Sequence, residues 1–453
     1  MPFINRTGNT HKLPEVNINI PFIGNQEQEI DTDSVMRSDK FQKLCQNGKF
    51  EITYANDSRI EQNLLRLQKK SVRFDDIDGE VKVLFKGHFG GPTGFAKANR
   101  NILYGMARCG IDVSILPSQS LEGICPADEA ALRRFQKLPD PRSIVLHSTI
   151  PTFAEPTGAR YSILYTTTEA ATIPQQFIDA CNLYNEVWTV SDFCRDVYVN
   201  HGLQKPIYVI PNAVDNRNYH EGVRRVATRP PLKGFRFISV ASWDYRKGYD
   251  VLLKSYLGEF TGDDPVSLLI VTKYNMDGDG NRTKEVDREI RSFIERYGGK
   301  NPPHIARYGM EVSEDDLPGV YRNCHALVLP SRGEGFGLPF LEASLCGLPV
   351  IGTRYSGQTM FLNDDNSYLF DIDSMAVASK TKVHYWDGQP FPELKSEETI
   401  GKLGKLMREV FTNYDVAQAK NKLLQQEAMQ KYSCDVVGRV AKDRLEAIWN
   451  RLD

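Results

Sequence analysis

Short apolar runs alternate with helical patterns along most of the chain. Buried strands are predicted at Val81 to Phe85, Val113 to Leu116, Ile144 to Leu146, Tyr161 to Tyr165, Val187 to Val190 and Ile207 to Ile210. A second series follows at Phe237 to Ala241, Leu268 to Thr272, Ile305 to Tyr308, Ala326 to Leu329 and Val350 to Ile351. Helical patterns separate many of these strands, so a parallel sheet covered by helices is the simplest packing for each series. The expected class is α/β with two Rossmann-like lobes.

The segment Asn212 to Pro231 interrupts this alternation: it is polar, carries Arg217, Arg224, Arg225 and Arg229, and shows little apolar periodicity. It divides an N-terminal Rossmann-like domain, 81–218, from a C-terminal one, 234–430, with the linker at 219–233. Residues 1–80 are polar and irregular, with Asn- and Asp-rich patches, and read as an appended N-terminal extension. A length of 453 residues agrees with two principal domains, since one core rarely grows that large. A cleft between the domains is the expected working site.

Composition narrows the function. The chain is 41% hydrophobic and 25% charged, ordinary values for a globular protein, and its formal charge of −2 gives no footprint for nucleic acid or anionic lipid. Eight cysteines are scattered singly, without a CxxC pair or histidines at zinc spacing, which fits reduced thiols in the cytoplasm. No basic-then-apolar leader occurs, and no stretch reaches the ~20 apolar residues of a membrane span. No metal site is expected: Asp75-Asp76, Asp263-Asp264, Asp315-Asp316 and Asp364-Asp365 do not stand as Asp-x-Asp after a buried strand, and Asn275 to Gly280, which has the look of a calcium loop, has Val286 at its twelfth position.

The chemistry concentrates between Ser331 and Pro349. The run SRGEGFGLPFLEA joins a buried strand to a helix, with Pro339 suited to the first helical turn and Gly347 and Pro349 marking the end. Gly333, Gly335 and Gly337 let backbone amides approach a ligand, and the helix start adds unpaired N–H groups and positive potential, so a diphosphate fits there. Glu334 on the loop and Glu342, placed in the first helical turn, are separated by seven residues and can address different ends of one ligand. A Gly-rich turn before a helix is common in any α/β sheet; the two glutamates make this one specific. Arg246-Lys247-Gly248 lies on another strand-to-helix loop, a ligand-facing position.

This Glu-x7-Glu arrangement in an EGFG-LPxLEA-like run resembles the donor site of retaining GT-B glycosyltransferases, notably glycosyltransferase family four, and the likeness extends from about Val81 to the C-terminus. The resemblance implies the GT-B fold, two Rossmann-like domains facing across a cleft, with the first taking the acceptor and the second the nucleotide sugar. It implies that Glu334 contacts the transferred sugar, Glu342 the nucleotide ribose, and the stretch Gly335, Phe336, Gly337 and Leu338 the diphosphate. Lys247 matches the cation that neutralises the leaving diphosphate. Arg246 either supplies the guanidinium that the family usually places at the strand end, where this chain has Ala241-Ser242, or faces solvent. Gly91 and Gly94, in Gly90-Gly91-Pro92-Thr93-Gly94, resemble the first-lobe loop that faces the sugar.

His147, at the end of a strand, either donates a hydrogen bond to the sugar or is a satisfied structural group. Glu169 and Asn212 read as caps or turn formers. The helical pattern from Tyr432 to Trp449 is expected to cross back to the first domain over 431–453. The implied activity is metal-free, retaining transfer of a hexosyl group from a UDP or GDP sugar to a hydroxyl of a glycan, a lipid-linked glycan or a small molecule, with no cofactor beyond the donor. Two readings stand beside it: a nucleotide-sugar-binding protein without efficient transfer, and another GT-B enzyme such as an epimerase or phosphorylase.

Overall fold

The computed structural model describes residues 80–155, 158–228, 231–272, 281–308, 312–377 and 388–452. Of the first 79 residues only five short strands are described, Pro2–Asn5, His11–Leu13, Ile18–Ile20, Gln28–Glu29 and Phe50–Glu51, in a segment that its sequence marks as irregular. The rest of the extension, and the turn at 275–280, lie outside the described residues.

The first lobe is built from β1 (Lys82–Gly87), α1 (Gly94–Arg108), β2 (Asp112–Pro117), α2 (Pro126–Arg133), β3 (Ile144–Ser148), β4 (Ser162–Thr166), α3 (Gln175–Cys181), β5 (Glu186–Thr189), α4 (Asp192–Asn200) and β6 (Ile207–Val209). Its six strands pair in parallel in the order β6-β5-β4-β3-β1-β2. The order reverses between β1 and β3, which opens a crevice outside their carboxyl ends. Thr93 caps α1 by accepting from the Ala96 amide at 3.1 Å, so the Gly-rich loop after β1 runs straight into a helix start.

The second lobe comprises β7 (Phe235–Val240), α5 (Tyr249–Glu259), β8 (Val266–Val271), α6 (Asn281–Tyr297), β9 (His304–Arg307), α7 (Leu317–Arg322), β10 (Ala326–Leu329), α8 (Leu338–Leu345), β11 (Val350–Thr353) and β12 (Tyr368–Phe370). Its sheet is also wholly parallel, in the order β9-β8-β7-β10-β11-β12, with the reversal between β7 and β10. The loops after β7 and β10 are those bearing Arg246-Lys247 and Glu334. Strand order alone therefore brings them side by side.

Beyond the two lobes lie a hairpin, β13 (Ser374–Val377) with β14 (Pro390–Glu393), and the helices α9 (Glu397–Thr412), α10 (Tyr414–Lys431) and α11 (Cys434–Leu452). α11 packs on α1 of the first lobe, where Arg108 bonds Asp435 at 2.5 Å and the Lys442 ammonium donates to the Cys109 carbonyl at 3.0 Å. Val437, Ala441, Leu445 and Ile448 share one buried apolar cluster with Ile102, Leu103 and Met106. Among the described residues, no helix is long and apolar enough to cross a membrane.

Candidate active site in the cleft between the lobes

The two crevices face each other across a cleft of about 970 Å³, lined by both lobes. The first contributes the loop Gly90 to Gly94, with Lys97, Ser148 and Glu169, and the second contributes Ala241, Ser242, Arg246, Lys247, Glu342 and the loop Glu334 to Pro339.

Several backbone details fix the second-lobe loops. Gly248 has φ of 70°, and a Cβ there would stand 1.9 Å from the Pro330 carbonyl oxygen, so only glycine closes the turn after Lys247. The Asp244 carboxylate accepts from the Arg246 amide at 2.8 Å. Arg332, fully buried, grips the same turn: it pairs with both oxygens of Asp250 at 2.7 and 2.9 Å, donates to the Tyr245 carbonyl at 2.6 Å and stacks 3.7 Å from the Tyr245 ring centroid. Ser356 stands opposite Glu334 with φ of 66°. Its hydroxyl accepts from the Glu334 amide at 2.9 Å, and the Gly357 amide donates to the Glu334 carbonyl at 2.9 Å. An unfavourable backbone conformation is thus held by bonds that fix Glu334.

At the centre, the Lys247 ammonium donates to Glu334 Oε1 at 2.6 Å. The Arg246 guanidinium donates to the Gly333 carbonyl at 2.6 Å and stands 3.8 Å from Glu334 and 3.7 Å from Glu169. Arg246 thus faces the cleft rather than solvent. Burial alone would push the Glu334 carboxyl up; the charges of Lys247 and Arg246 outweigh it and hold the group below the ordinary glutamate range. Lys247 is also lowered, by burial first and then by repulsion from Arg246, against which Glu334 works only in part. Burial thus leads the shift of Lys247, whereas the two cations decide that of Glu334.

Gly337, with φ of 98°, precedes α8, and Pro339 lies in its first turn. Among the described residues, no protein acceptor engages the amides of Phe336, Gly337 and Leu338. They are available to an anion. Glu342 is the fifth residue of α8, so the expectation of a first-turn position is corrected to the second turn, because the helix starts at Leu338. The Phe336 ring is buried against Phe361 and Tyr432.

In the first lobe, Gly90 lies where a Cβ would come within 2.0 Å of the Ser120 carbonyl oxygen, and Gly91 has φ of 69°. Gly94 opens α1 at the rim of the cleft. His147 is placed differently from the sugar-donating expectation. It is buried and absent from the lining, with Nδ1 2.7 Å from the Tyr184 hydroxyl, while the neighbouring Ser148 lines the cleft. The Tyr184 hydroxyl gives its one proton to the Glu155 carbonyl at 2.8 Å, which makes Nδ1 of His147 the donor and Nε2 the lone pair. Burial, with the nearby Lys86 charge, pulls the imidazole down to about 4, so it is neutral at pH 7. Asn212 stands near the Tyr165 hydroxyl at 3.2 Å.

Lys97, Arg332 and Ser356 carry no signal in the sequence, because each acts on a partner far along the chain. The Lys97 ammonium donates to Glu342 across the lobes at 2.9 Å. Only the position of Lys97 in the first turn after the Gly-rich loop could have drawn attention to it.

Comparisons with known proteins bear on the fold and on the second lobe. Residues 234–383 match the family model described as glycosyl transferases group 1. A D-inositol 3-phosphate glycosyltransferase of Salinispora arenicola is 40% identical over 172 residues, 37% of either chain. A mannosylfructose-phosphate synthase of Agrobacterium fabrum is 24% identical over 233 residues, 48% of either chain. The chain spans about half the length, or less, of the curated relatives it matches. In solved structures, Anabaena HepE, determined with UDP and glucose, superposes with a TM-score of 0.57 at 14% identity, covering 81% of this chain and all of its own. Sucrose-phosphate synthase of Thermosynechococcus elongatus gives 0.57 at 14% identity, covering 82% of this chain and all of its own. The two parallel-sheet lobes are a GT-B fold, and the second of them carries a glycosyl transferases group 1 domain.

Proposed function

We propose that the chain is a retaining glycosyltransferase of family four, moving a hexosyl group from a UDP or GDP sugar to a hydroxyl acceptor without a metal or further cofactor. The observation that carries the proposal is the Glu334–Lys247–Arg246 cluster beside the unengaged amides that start α8, at one cleft between two lobes.

A departing nucleoside diphosphate builds negative charge, and fixed donors placed where that charge develops lower the barrier. The Phe336 to Leu338 amides, Lys247 and Arg246 supply such donors, which is the support for metal-free transfer. Glu334, tethered by Lys247 and Ser356, orients the sugar hydroxyls, and Glu342 takes the ribose. Attack comes from the face the diphosphate leaves, with the leaving group helping to remove the acceptor proton, and the closed lobes exclude water. The first lobe takes the acceptor, a glycan, lipid-linked glycan or small molecule. Free cysteines such as Cys109 and Cys324 fit a cytoplasmic setting.

The test is a panel of nucleotide sugars assayed for donor turnover with and without EDTA, with the anomeric configuration of the product read by NMR. Turnover that survives EDTA and retains configuration is expected. An EDTA-sensitive reaction or an inverted product overturns the mechanism. Binding without turnover leaves a nucleotide-sugar-binding protein, the outcome that Ala241-Ser242 at the strand end would explain.

A further inference from the structure

Lys97 joins the two lobes at one end of the cleft. It stands in the first turn of α1, with Nζ 2.9 Å from Glu342 Oε1 and 2.9 Å from the Tyr219 hydroxyl. The two side chains are 14% and 4% exposed, so the pair is shielded from solvent on both sides. Its partners lie in different lobes, and the contact exists only while the lobes are together. Glu342 Oε2 has no hydrogen-bond partner among the described residues, and Glu342 lines the cleft.

A carboxylate on a glutamate side chain rotates freely about its last torsion. Lys97 removes that freedom by holding one oxygen, and it compensates a charge that would otherwise be buried alone. An acceptor fixed before its ligand arrives binds more tightly than one that must be ordered on binding. We propose that Lys97 is a positioning residue for nucleotide recognition: held from the opposite lobe, Glu342 turns its second oxygen to the ribose hydroxyls of a nucleoside diphosphate. Ribose is then read most tightly by the closed molecule. The inference rests on Glu342 being the ribose acceptor, as proposed above.

Titration calorimetry with UDP and GDP, each against its 2′,3′-dideoxy analogue, gives a ribose ratio in which changes in phosphate affinity cancel. For the native protein, loss of the hydroxyls weakens binding about tenfold to a hundredfold for the preferred base, as for a hydrogen bond to a charged group. Glu342→Gln reduces the ratio to about threefold or less, and Lys97→Met does the same while Lys97→Arg restores most of it. Should Lys97→Met fail to fold, Lys97→Gln is read in the same way. A ratio unchanged in Glu342→Gln overturns the assignment of Glu342 itself. A ratio that collapses in Glu342→Gln but persists or grows in Lys97→Met overturns the role of Lys97, and growth would mark it as a competitor of ribose.

Discussion

Two cations share the Glu334 carboxylate, and the three side chains form a charge cluster facing the cleft. Glu334→Gln keeps the shape but removes the charge that binds Lys247 at 2.6 Å. Turnover is expected to fall on the order of 10²- to 10³-fold, with the melting temperature changed by only a few degrees; full activity in this variant removes Glu334 from the reaction. Two imidazoles, the buried His147 and the half-buried His325, set a different pH dependence. His147 and His325 are both pulled down to about 4, first by burial and then by neighbouring cations, Lys86 for one and Arg236 for the other. The unfolded chain binds protons near 6.5 and the folded chain does not, so stability is lost as pH falls from about 6.5 to about 4, by up to about 3 kcal/mol for each histidine. Melting temperature followed over that range checks the sign, and His147→Gln removes its share of the slope. Residues on one strand–loop–helix, such as Glu334 and Glu342, are legible in the chain because their spacing is local. Lys97 and Arg332 are not, because what each one does depends on partners brought close only by folding.

Among elements, α1 and α11 cross with their backbones in close approach. A Cβ on Gly438 would lie 2.3 Å from the Gly105 carbonyl carbon, and one on Gly105 would lie 2.2 Å from the Cys434 carbonyl oxygen. Alanine is the better helix former by about 1 kcal/mol. Here the backbone clash outweighs it, and Gly438→Ala is expected to destabilise by about 2 kcal/mol. A urea titration that finds the variant as stable as the native protein refutes this. The β13–β14 hairpin was illegible for a specific reason: its second strand reads Pro390-Phe391-Pro392-Glu393, and proline argues against a strand. The hairpin tolerates both prolines as an isolated two-stranded ladder, and it buries Phe391 in a cluster with Leu164, Phe177 and Tyr198 of the first lobe.

For the whole molecule, polar contacts across the cleft hold the lobes together, among them three buried or nearly buried ones. Arg100 meets Glu314 at 2.6 Å, the Ser191 hydroxyl donates to the Gly335 carbonyl at 2.7 Å, and Lys97 meets Glu342. Arg100 also donates to the Phe89 and Gly91 carbonyls, so one guanidinium ties the Gly-rich loop to the other lobe. Glu314→Gln leaves that buried guanidinium without a counter-charge, at an expected loss of about 3 kcal/mol. The predicted consequence is a looser molecule, seen as a lower melting temperature and a larger radius of gyration in X-ray scattering. An unchanged scattering profile together with an unchanged melting point contradicts it.

The sequence alone determined the two series of strands apart from β12, the loops that follow them and the glycines on which a ligand-facing turn depends, because apolar periodicity and backbone freedom are properties of neighbouring residues. Tertiary structure decided which loops meet. Strand order put the β7 and β10 loops side by side, lobe closure brought Lys97 to Glu342, and burial against Tyr184 turned His147 away from the cleft. These outcomes depend on contacts between distant segments, which local pattern does not encode.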